Sequence, residues 1–443
     1  MKRIYLDWNI ITHLKDQCNE ELKKCLKDNL DFFIFPFSSA HFDDLMRSFN
    51  EVGNKNIFKY DLSLFNTICR NHLLMFDKKS NRVSPLIATP YMFFKNAIEN
   101  QSLMDNIKHG DLLRLLEESI DNEPSNTSVK NLLSDSKIRD SINLGGALVK
   151  DFLMMIEDNE FADSLKCLSG FSHVQRNILS GAEPQNAFSI LDSVFEEVGC
   201  KDTLTSLMER MFREKQNEEL INFTSLYNAL DLYGYRSDKH KSLANINTDA
   251  THAYYASYCD CFVTNDKKCA AKAKAMYAKL NVKTKVINPK DLTVLIKDEV
   301  RFQFNPYYYF RSFFGKFHYH DAYQSGDMHT YWQHYDFPFL GFFNQGVAMY
   351  NPENSKRYFL FRRDIIDNRD MVFYSEIDML LKYIKCCVHT KYCDKEVDIF
   401  SKCLKAGEKY QVKLIFGNWT ILIATDPYHK ELPAIVFGQK SCF

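Results

Sequence analysis

Apolar residues along the chain fall into short runs separated by stretches with helical spacing. Ile4-Tyr5-Leu6 is one short run and residues 32–35 are another, and a helix-spaced stretch follows each of them. Short apolar runs that stop at polar residues or proline predict buried strands, whereas apolar positions three and four apart predict one buried helix face. Strand, helix, strand, helix is the opening order of a parallel α/β sheet, so we expect such a sheet here.

The same order of elements returns near residue 247. Thr248 can cap a helix that begins at Asp249, and a short apolar run follows at 261–264. A helix rich in lysine and alanine and a further strand are predicted after that run, at 267–280 and 284–287. The two parts are therefore expected to build one sheet.

The segment between the two parts has the spacing of helices through much of its length. The sequence thus predicts one α/β domain made of 1–57 and 236–296, with a large helical insertion at 58–235. After residue 297 aromatic residues become dense, and apolar residues alternate on both sides of Gly417-Asn418, which predicts a hairpin. We expect 297–443 to form a separate, aromatic-rich α+β domain.

Composition places the chain among globular proteins and excludes little else. Its 443 residues exceed one ordinary domain of roughly 100–200 residues, and 45% hydrophobic with 26% charged residues is ordinary. A net charge of −1 leaves nucleic-acid binding open, because a groove can be basic locally. With no apolar run of about 18 residues and a charged Asp7 where a signal peptide would continue, we expect a cytoplasmic protein with reduced cysteines and no membrane partner.

Four aspartates carry the candidate chemistry. Asp7 and Asp266 each follow a predicted strand, Asp249 begins a helix, and Asp44 lies one to two turns into another. Ligands of parallel sheets bind beyond the carboxyl ends of the strands, so these carboxylates are expected to meet there. Crowded carboxylates repel one another unless cations neutralise them, and Mg²⁺ and Mn²⁺ prefer oxygen ligands. Two such ions can activate water against a phosphodiester.

The motifs around these aspartates resemble those of PIN-domain ribonucleases, in the same order. The matching stretches are Ile4-Tyr5-Leu6-Asp7-Trp8-Asn9 for the opening strand and its Asp-x-Asn motif, Asp44-Leu45 for the Glu-Leu pair, Asp249-Ala250-Thr251-His252-Ala253 for the third acidic helix start, and Cys259-Asp260-Cys261-Phe262-Val263-Thr264-Asn265-Asp266 for the strand that ends in Thr-x-Asp. The resemblance covers about residues 1–50 and 240–295 and implies a PIN-like parallel sheet flanked by helices.

The resemblance also implies Mg²⁺- or Mn²⁺-dependent endonucleolytic cleavage, usually of RNA. Asp7, Asp249 and Asp266 would be metal ligands, and Asp44 would be a ligand directly or through water. The surrounding side chains that would orient the ligands or contact substrate are Asn9, Thr264, Asn265, His252 and His41. Asp replaces the family's commoner Glu in the second motif, and Asp43 precedes it, so either residue can reach a metal. Leu45 favours Asp44.

Several other side chains have two interpretations. His41 and His252 lie three residues from Asp44 and Asp249, so they either serve these carboxylates or phosphate, or are buried histidines with local hydrogen bonds. Four lysines after Asp266 either supply positive potential or form a solvated helix face: Lys267, Lys268, Lys272 and Lys274. Two clusters without zinc-finger spacing are further, weaker metal candidates: His318, His320, Asp321, Asp327, His329 and His334, and Cys386, Cys387, His389 and Cys393.

The predicted function is a metal-dependent endoribonuclease, restrained as a regulated effector because free cleavage of RNA would harm its own cell. A homo-oligomer or a regulatory protein partner would fit that restraint. A structure-specific DNA nuclease and a non-catalytic PIN-like scaffold that binds nucleic acid or protein are the alternatives.

Overall fold

The computed structural model describes most of the chain, in two compact units. The described residues are 1–15, 19–52, 55–101, 179, 181–197, 203, 205–206, 219–237, 243–303, 321–325, 328–351, 356–365, 369–388, 393–416, 419–427 and 429–439. Arg3–Leu30 and Phe35–Thr293 form the α/β unit, and Met1–Lys2, Asp31–Ile34 and Val294–Phe443 form the antiparallel unit.

Among the described residues up to 303, six strands are interspersed with helices. They are β1 (Lys2–Leu6), α1 (Trp8–His13), α2 (Glu20–Asp28), β2 (Phe33–Ile34), α3 (Ser39–Val52), α4 (Lys55–Cys69), β3 (His72–Asp77), β4 (Arg82–Ile87), α5 (Pro90–Gln101), α6 (Ala187–Glu197), α7 (Glu219–Leu232), α8 (Leu243–Ala256), β5 (Cys261–Val263), α9 (Lys267–Lys279), β6 (Lys285–Ile287) and α10 (Pro289–Gln303).

The strands β1, β5 and β6 are neighbours in a sheet that is flanked by helices, which confirms the predicted α/β class. β1 pairs in parallel with β5, with Tyr5 opposite Phe262 and Leu6 opposite Val263, and β5 pairs in parallel with β6. The residues of β1 from Ile4 to Leu6 and all of β5 are buried. Strands covered on both faces need apolar residues at successive positions, which is why these runs were recognisable.

The predicted helical segment 58–235 contains a hairpin, so that prediction was wrong for residues 72–87. β3 pairs antiparallel with β4 across a turn in which Asp77 accepts hydrogen bonds from Ser80 and the Lys79 N–H. The interior of β3 is a continuous buried apolar run, and such a run fits a buried helix as well as a buried strand. Residues 102–178 of the predicted insertion lie outside the described residues.

The predicted boundary after residue 57 falls inside α4, which belongs to the core of the α/β unit. The Phe65 ring of α4 lies 5.7 Å from the rings of Trp8 and Phe37 and 5.0 Å from the His41 ring. Helix α4, which was predicted to begin the insertion, therefore belongs to the core beside β1.

Helix α8 begins at Leu243, so the prediction that Asp249 opens a helix was also wrong. A helix that began at Asp249 would have left Asn247 in the preceding loop. Instead, the Asn247 side chain is buried and accepts a hydrogen bond from Asn228 of α7 at 2.9 Å. With that partner Asn247 is satisfied inside the helix, and Thr248 is not needed as a cap.

The antiparallel unit is built on a seven-stranded sheet of order β11-β12-β13-β10-β9-β8-β7. Its elements after α10 are β7 (Asp321–Ser325), β8 (Met328–Phe339), β9 (Phe343–Asn351), β10 (Lys356–Arg362), α11 (Tyr374–Val388), α12 (Cys393–Lys405), β11 (Gln411–Phe416), β12 (Trp419–Thr425) and β13 (Pro433–Gln439). The predicted hairpin is confirmed, with Val412 opposite Ile423 and Leu414 opposite Ile421.

Helices α11 and α12 pack on the same apolar core as the strands of this sheet. Ile377 and Leu380 of α11 join Phe400 of α12 and Ile423 of β12 in one buried cluster. Of the two weaker metal candidates, His329 and His334 lie in β8, whereas His318, His320, Asp327 and His389 lie outside the described residues. None of the helices described has the length and apolar character needed to cross a bilayer.

Candidate functional site

Asp7 lies at the carboxyl end of β1, where the parallel sheet opens. Its backbone N–H donates to the Val263 carbonyl at 2.9 Å, and its side chain is buried. Oδ2 accepts hydrogen bonds from Asn9 Nδ2 and from Thr264 Oγ1, each at 2.6 Å. Burial raises the pKa of Asp7, although the charge of His252 and the Thr264 hydrogen bond act in the opposite direction.

Asn9 and Thr264 both donate to the Asp7 carboxylate. Asn9 Oδ1 also accepts from the Asn265 N–H at 3.3 Å, which joins the loops after β1 and β5. The side chain of Asn265 is exposed and lies 2.8 Å from Nδ1 of His13, an exposed residue at the end of α1. Asn265 thus contacts Asn9 and His13 at the edge of the site and has no hydrogen bond to Asp7 among those described.

Asp44 and His252 form a pair beside Asp7. Nε2 of His252 in α8 lies 2.8 Å from Oδ2 of Asp44 in α3, and the two side chains are 2% and 17% exposed. Burial lowers the pKa of His252, but the hydrogen bond and charge of Asp44, with the charges of Asp7 and Asp249, raise it overall. A carboxylate only accepts, so the donor in this pair is an N–H on Nε2 of His252.

A buried network around the Tyr5 hydroxyl supports this pair, and sequence patterns did not reveal it. The hydroxyl lies 2.6 Å from Ser38 Oγ, 2.9 Å from His252 Nδ1 and 3.3 Å from His41 Nδ1. Tyr5 is fully buried in β1, two positions before Asp7, so both residues lie on the same side of the strand. No local pattern distinguishes this tyrosine from the apolar residues on either side of it.

His41 is a structural member of the same network. Its Nε2 lies 2.7 Å from the Leu6 carbonyl oxygen, to which it donates, and its Nδ1 accepts from the Ser38 N–H at 3.2 Å. Burial lowers the pKa of His41, and the nearby His252 lowers it further. His41 is therefore neutral, with its tautomer set by the end of β1.

Asp7, Asp44 and His252 together could hold a metal ion. One ligand atom from each lies within 4.8 Å of the other two, in the only such group found among the described residues. Around an octahedral ion with ligands at roughly 2.1 Å, neighbouring donors are about 3 Å apart and opposite donors about 4.2 Å. Two carboxylate oxygens and one imidazole nitrogen at these spacings fit a divalent cation after small side-chain movements.

Asp249 and Asp266 lie near this group but are not part of it. Asp266 caps α9, because its Oδ1 accepts from the N–H groups of Lys268 at 2.8 Å and Cys269 at 3.0 Å. The charge of Asp266 raises the pKa of Asp7, and the charge of Asp249 raises the pKa of His252. The structure thus places all four predicted carboxylates around one region, with Asp7 and Asp44 at its centre.

The structure distinguishes the neighbours Asp43 and Asp44. Asp44 contacts His252, and its charge acts on Asp7. The charge of Asp43 acts instead on Tyr255, whose pKa is raised to about 12, mainly by burial. Asp44 is therefore the acid of α3 that belongs to the group.

Two of the four lysines after Asp266 are engaged within the fold. Lys272 is buried in an ion pair with Asp231, with its ammonium 5.1 Å from the centre of the Tyr227 ring. Lys268 Nζ donates to the Ser237 carbonyl at 2.8 Å. The proposed role of Lys272 in a basic groove was therefore wrong, because a charge held inside the core cannot meet a substrate. Lys267 and Lys274 are exposed.

The chain matches no protein-family model, no curated protein and no solved structure. The resemblance to PIN-domain ribonucleases therefore stays a prediction from four short motifs. What the site does has to be inferred from its donor atoms and their surroundings.

Proposed function

We propose that the protein is a metal-dependent endonuclease that cleaves RNA in the cytoplasm, with a PIN-like α/β unit as its catalytic part. The observation that carries this proposal is the group of Asp7, Asp44 and His252 at the carboxyl end of the parallel sheet. Two carboxylates held this close repel each other, and the charge of Asp44 raises the pKa of Asp7. A divalent cation between them relieves that repulsion.

The residues around the group have separable tasks in this proposal. Asn9 and Thr264 hold the Asp7 carboxylate in one orientation, and His252 holds Asp44. Bound Mg²⁺ or Mn²⁺ supplies Lewis acidity toward water and a phosphodiester. Asp249 and Asp266 add negative charge beside the group, which favours retention of cations close to a polyanionic substrate.

Single-stranded or structured RNA is the proposed substrate, because its phosphodiesters are reached without unpairing a duplex. Since unrestrained cleavage would damage the host cell, we propose that the protein is a regulated effector. Its restraint would come from the remainder of the chain, a second copy or a protein partner.

A non-catalytic scaffold is the second candidate, and one observation favours it. Both central carboxylates already have protein partners: Asp7 accepts from Asn9 and Thr264, and Asp44 pairs with His252. Carboxylates satisfied in this way can persist without any ion. The two candidates differ in whether a metal ion binds at Asp7 and Asp44.

Cleavage of end-labelled single-stranded RNA and DNA by the full chain tests the proposal. The reactions contain Mn²⁺, Mg²⁺ or EDTA, and the variants are Asp7→Asn and, as a matched control, Asp28→Asn. Asp28 is an exposed carboxylate at the end of α2. We expect metal-dependent cutting of RNA that Asp7→Asn abolishes and Asp28→Asn preserves.

Three other outcomes would change the proposed function. Comparable cutting of DNA would replace the RNA substrate with DNA, the structure-specific nuclease alternative. No cutting together with no Mn²⁺ binding by titration calorimetry would establish the scaffold. Metal binding without cutting would show a nuclease that is held inactive until a partner or modification releases it.

A further inference from the structure

The imidazole of His252 presents one nitrogen to the group and has the other nitrogen held by the protein. Nε2 faces Asp44 Oδ2 at 2.8 Å, and His252 is one of the three residues of the group with Asp7 and Asp44. Nδ1 faces the Tyr5 hydroxyl at 2.9 Å. Only Nε2 is therefore directed at the position where an ion would bind.

The support for the ring is built into the core. The Tyr5 hydroxyl is itself fixed by Ser38 Oγ at 2.6 Å, and the Tyr5, Ser38 and His252 side chains are all buried. Histidines that bind metals usually have their second nitrogen engaged in this way, which sets the tautomer and the orientation of the ring. When an ion binds, Nε2 releases to solvent the proton that it otherwise donates to Asp44, and with the remaining proton on Nδ1, donated to the Tyr5 oxygen, His252 presents a lone pair on Nε2.

A nitrogen donor changes which ions a site prefers. Mg²⁺ favours carboxylate, carbonyl and water oxygens and loses its hydration reluctantly. Imidazole suits divalent transition metals, whose affinities for nitrogen-containing sites rise from Mn²⁺ to Co²⁺ and beyond. A site of four aspartates, as the sequence predicted, carries no such bias.

We propose that His252 is itself a metal ligand, through Nε2, so that the site with Asp7 and Asp44 selects a divalent transition-metal ion over Mg²⁺. The proposal rests on the metal site of the proposed function but does not depend on the identity of the nucleic-acid substrate. It reassigns His252 from a residue that orients a carboxylate to a residue that binds the ion.

Titration calorimetry of the full chain with Mg²⁺, Mn²⁺ and Co²⁺ measures the selection. The variant is His252→Gln, whose amide can still donate to Asp44 but offers an oxygen in place of the imidazole nitrogen. The matched control is His429→Gln, which removes an imidazole from the antiparallel unit. We expect the wild type to bind Mn²⁺ and Co²⁺ about tenfold or more tightly than Mg²⁺.

In His252→Gln, the Mn²⁺ and Co²⁺ affinities should fall roughly 10- to 100-fold, while the Mg²⁺ affinity changes by less than about threefold. A second readout needs no substitution. Pulsed electron paramagnetic resonance of Mn²⁺-loaded protein should show the coupling of a directly bound histidine nitrogen, which changes on ¹⁵N-histidine labelling and is retained in His429→Gln.

The outcomes separate this inference from the proposed function. Bound Mn²⁺ without nitrogen coupling, or equal losses for Mg²⁺ and Mn²⁺ in a folded His252→Gln, would overturn the role of His252 as ligand and leave the metal site intact. No binding of any of the three ions would instead overturn the proposed function. If His252→Gln does not fold, the wild-type resonance experiment alone decides.

Discussion

The buried ion pair between Lys272 and Asp231 provides the most quantitative prediction. It joins α9 to the end of α7, and its side chains are only 1% and 5% exposed. Lys272→Met removes the ammonium while keeping most of the apolar length of the side chain. The Asp231 carboxylate is then left in the core, where the Ser237 hydroxyl, 3.2 Å away, still donates to it.

The expected loss follows from that unpaired charge. Removing one partner of a buried pair costs about 3–5 kcal/mol, and this loss includes the contact of the ammonium with the Tyr227 ring. At a urea dependence of roughly 3 kcal/mol/M, the unfolding midpoint falls by about 1–2 M. Lys272→Met combined with Asp231→Leu leaves no buried charge, so we expect it to cost less than about 1 kcal/mol.

Fluorescence of Trp8 can follow the unfolding of the α/β unit alone. The chain has 3 tryptophans, and Trp332 and Trp419 lie in β8 and β12 of the antiparallel unit. Replacing these two by Phe leaves Trp8 as the reporter. A loss below about 1 kcal/mol for Lys272→Met, or a double variant no more stable than the single one, would refute the reasoning from an unpaired buried charge.

Three further predictions concern the candidate site, each measured in EDTA unless a metal is named. Thr264→Val should lower the free energy of unfolding by about 1.5–3 kcal/mol, because the Asp7 carboxylate loses a 2.6 Å hydrogen bond. The stability lost in Asp44→Asn should be greatest near pH 6 and shrink as the pH rises. Folding raises the pKa of His252, so its contribution is complete below its unfolded pKa and is lost as pH passes the raised value. Asp43→Asn should keep the Mn²⁺ affinity within about threefold, whereas Asp44→Asn should lower it about tenfold or more.

Each of these has a control or a contradicting result. Thr420→Val is the control for the first, since Thr420 is buried and its hydroxyl has no hydrogen-bond partner among the described residues. Equal losses in both valine variants would mean that the Asp7 hydrogen bond is unimportant. A stability difference that grows with pH would contradict the second prediction. Equal losses of Mn²⁺ affinity in Asp43→Asn and Asp44→Asn would contradict the third.

Features determined by neighbouring residues were predictable from the sequence. The strand β5 is a buried apolar run, and the hairpin of β11 and β12 alternates around a two-residue turn, so both have local patterns. Asp7 was recognisable because it directly follows such a strand. The helix of Asp44 was recognisable from its apolar face.

Features determined by distant residues were not predictable. The Tyr5 hydroxyl meets His252 across 247 positions of sequence, and nothing local distinguishes Tyr5 from an ordinary apolar strand residue. Lys272 lies in a helix rich in exposed lysines, and only its burial against Asp231 sets it apart. The prediction for β3 was wrong for another reason, because a continuous apolar run has no periodicity that distinguishes a strand from a helix.

The hydrogen bond from Thr264 to Asp7 spans 257 positions, which has a consequence for synthesis. At roughly 5–20 residues per second, a ribosome needs about 13–50 s to travel from one to the other. During that time β1 has emerged without the strand that pairs with it, and Asp7 lacks one of its two side-chain donors. A chain released before β5 is made has no completed sheet beside which Asp7, Asp44 and His252 can assemble, so the group forms only after that strand has been synthesised.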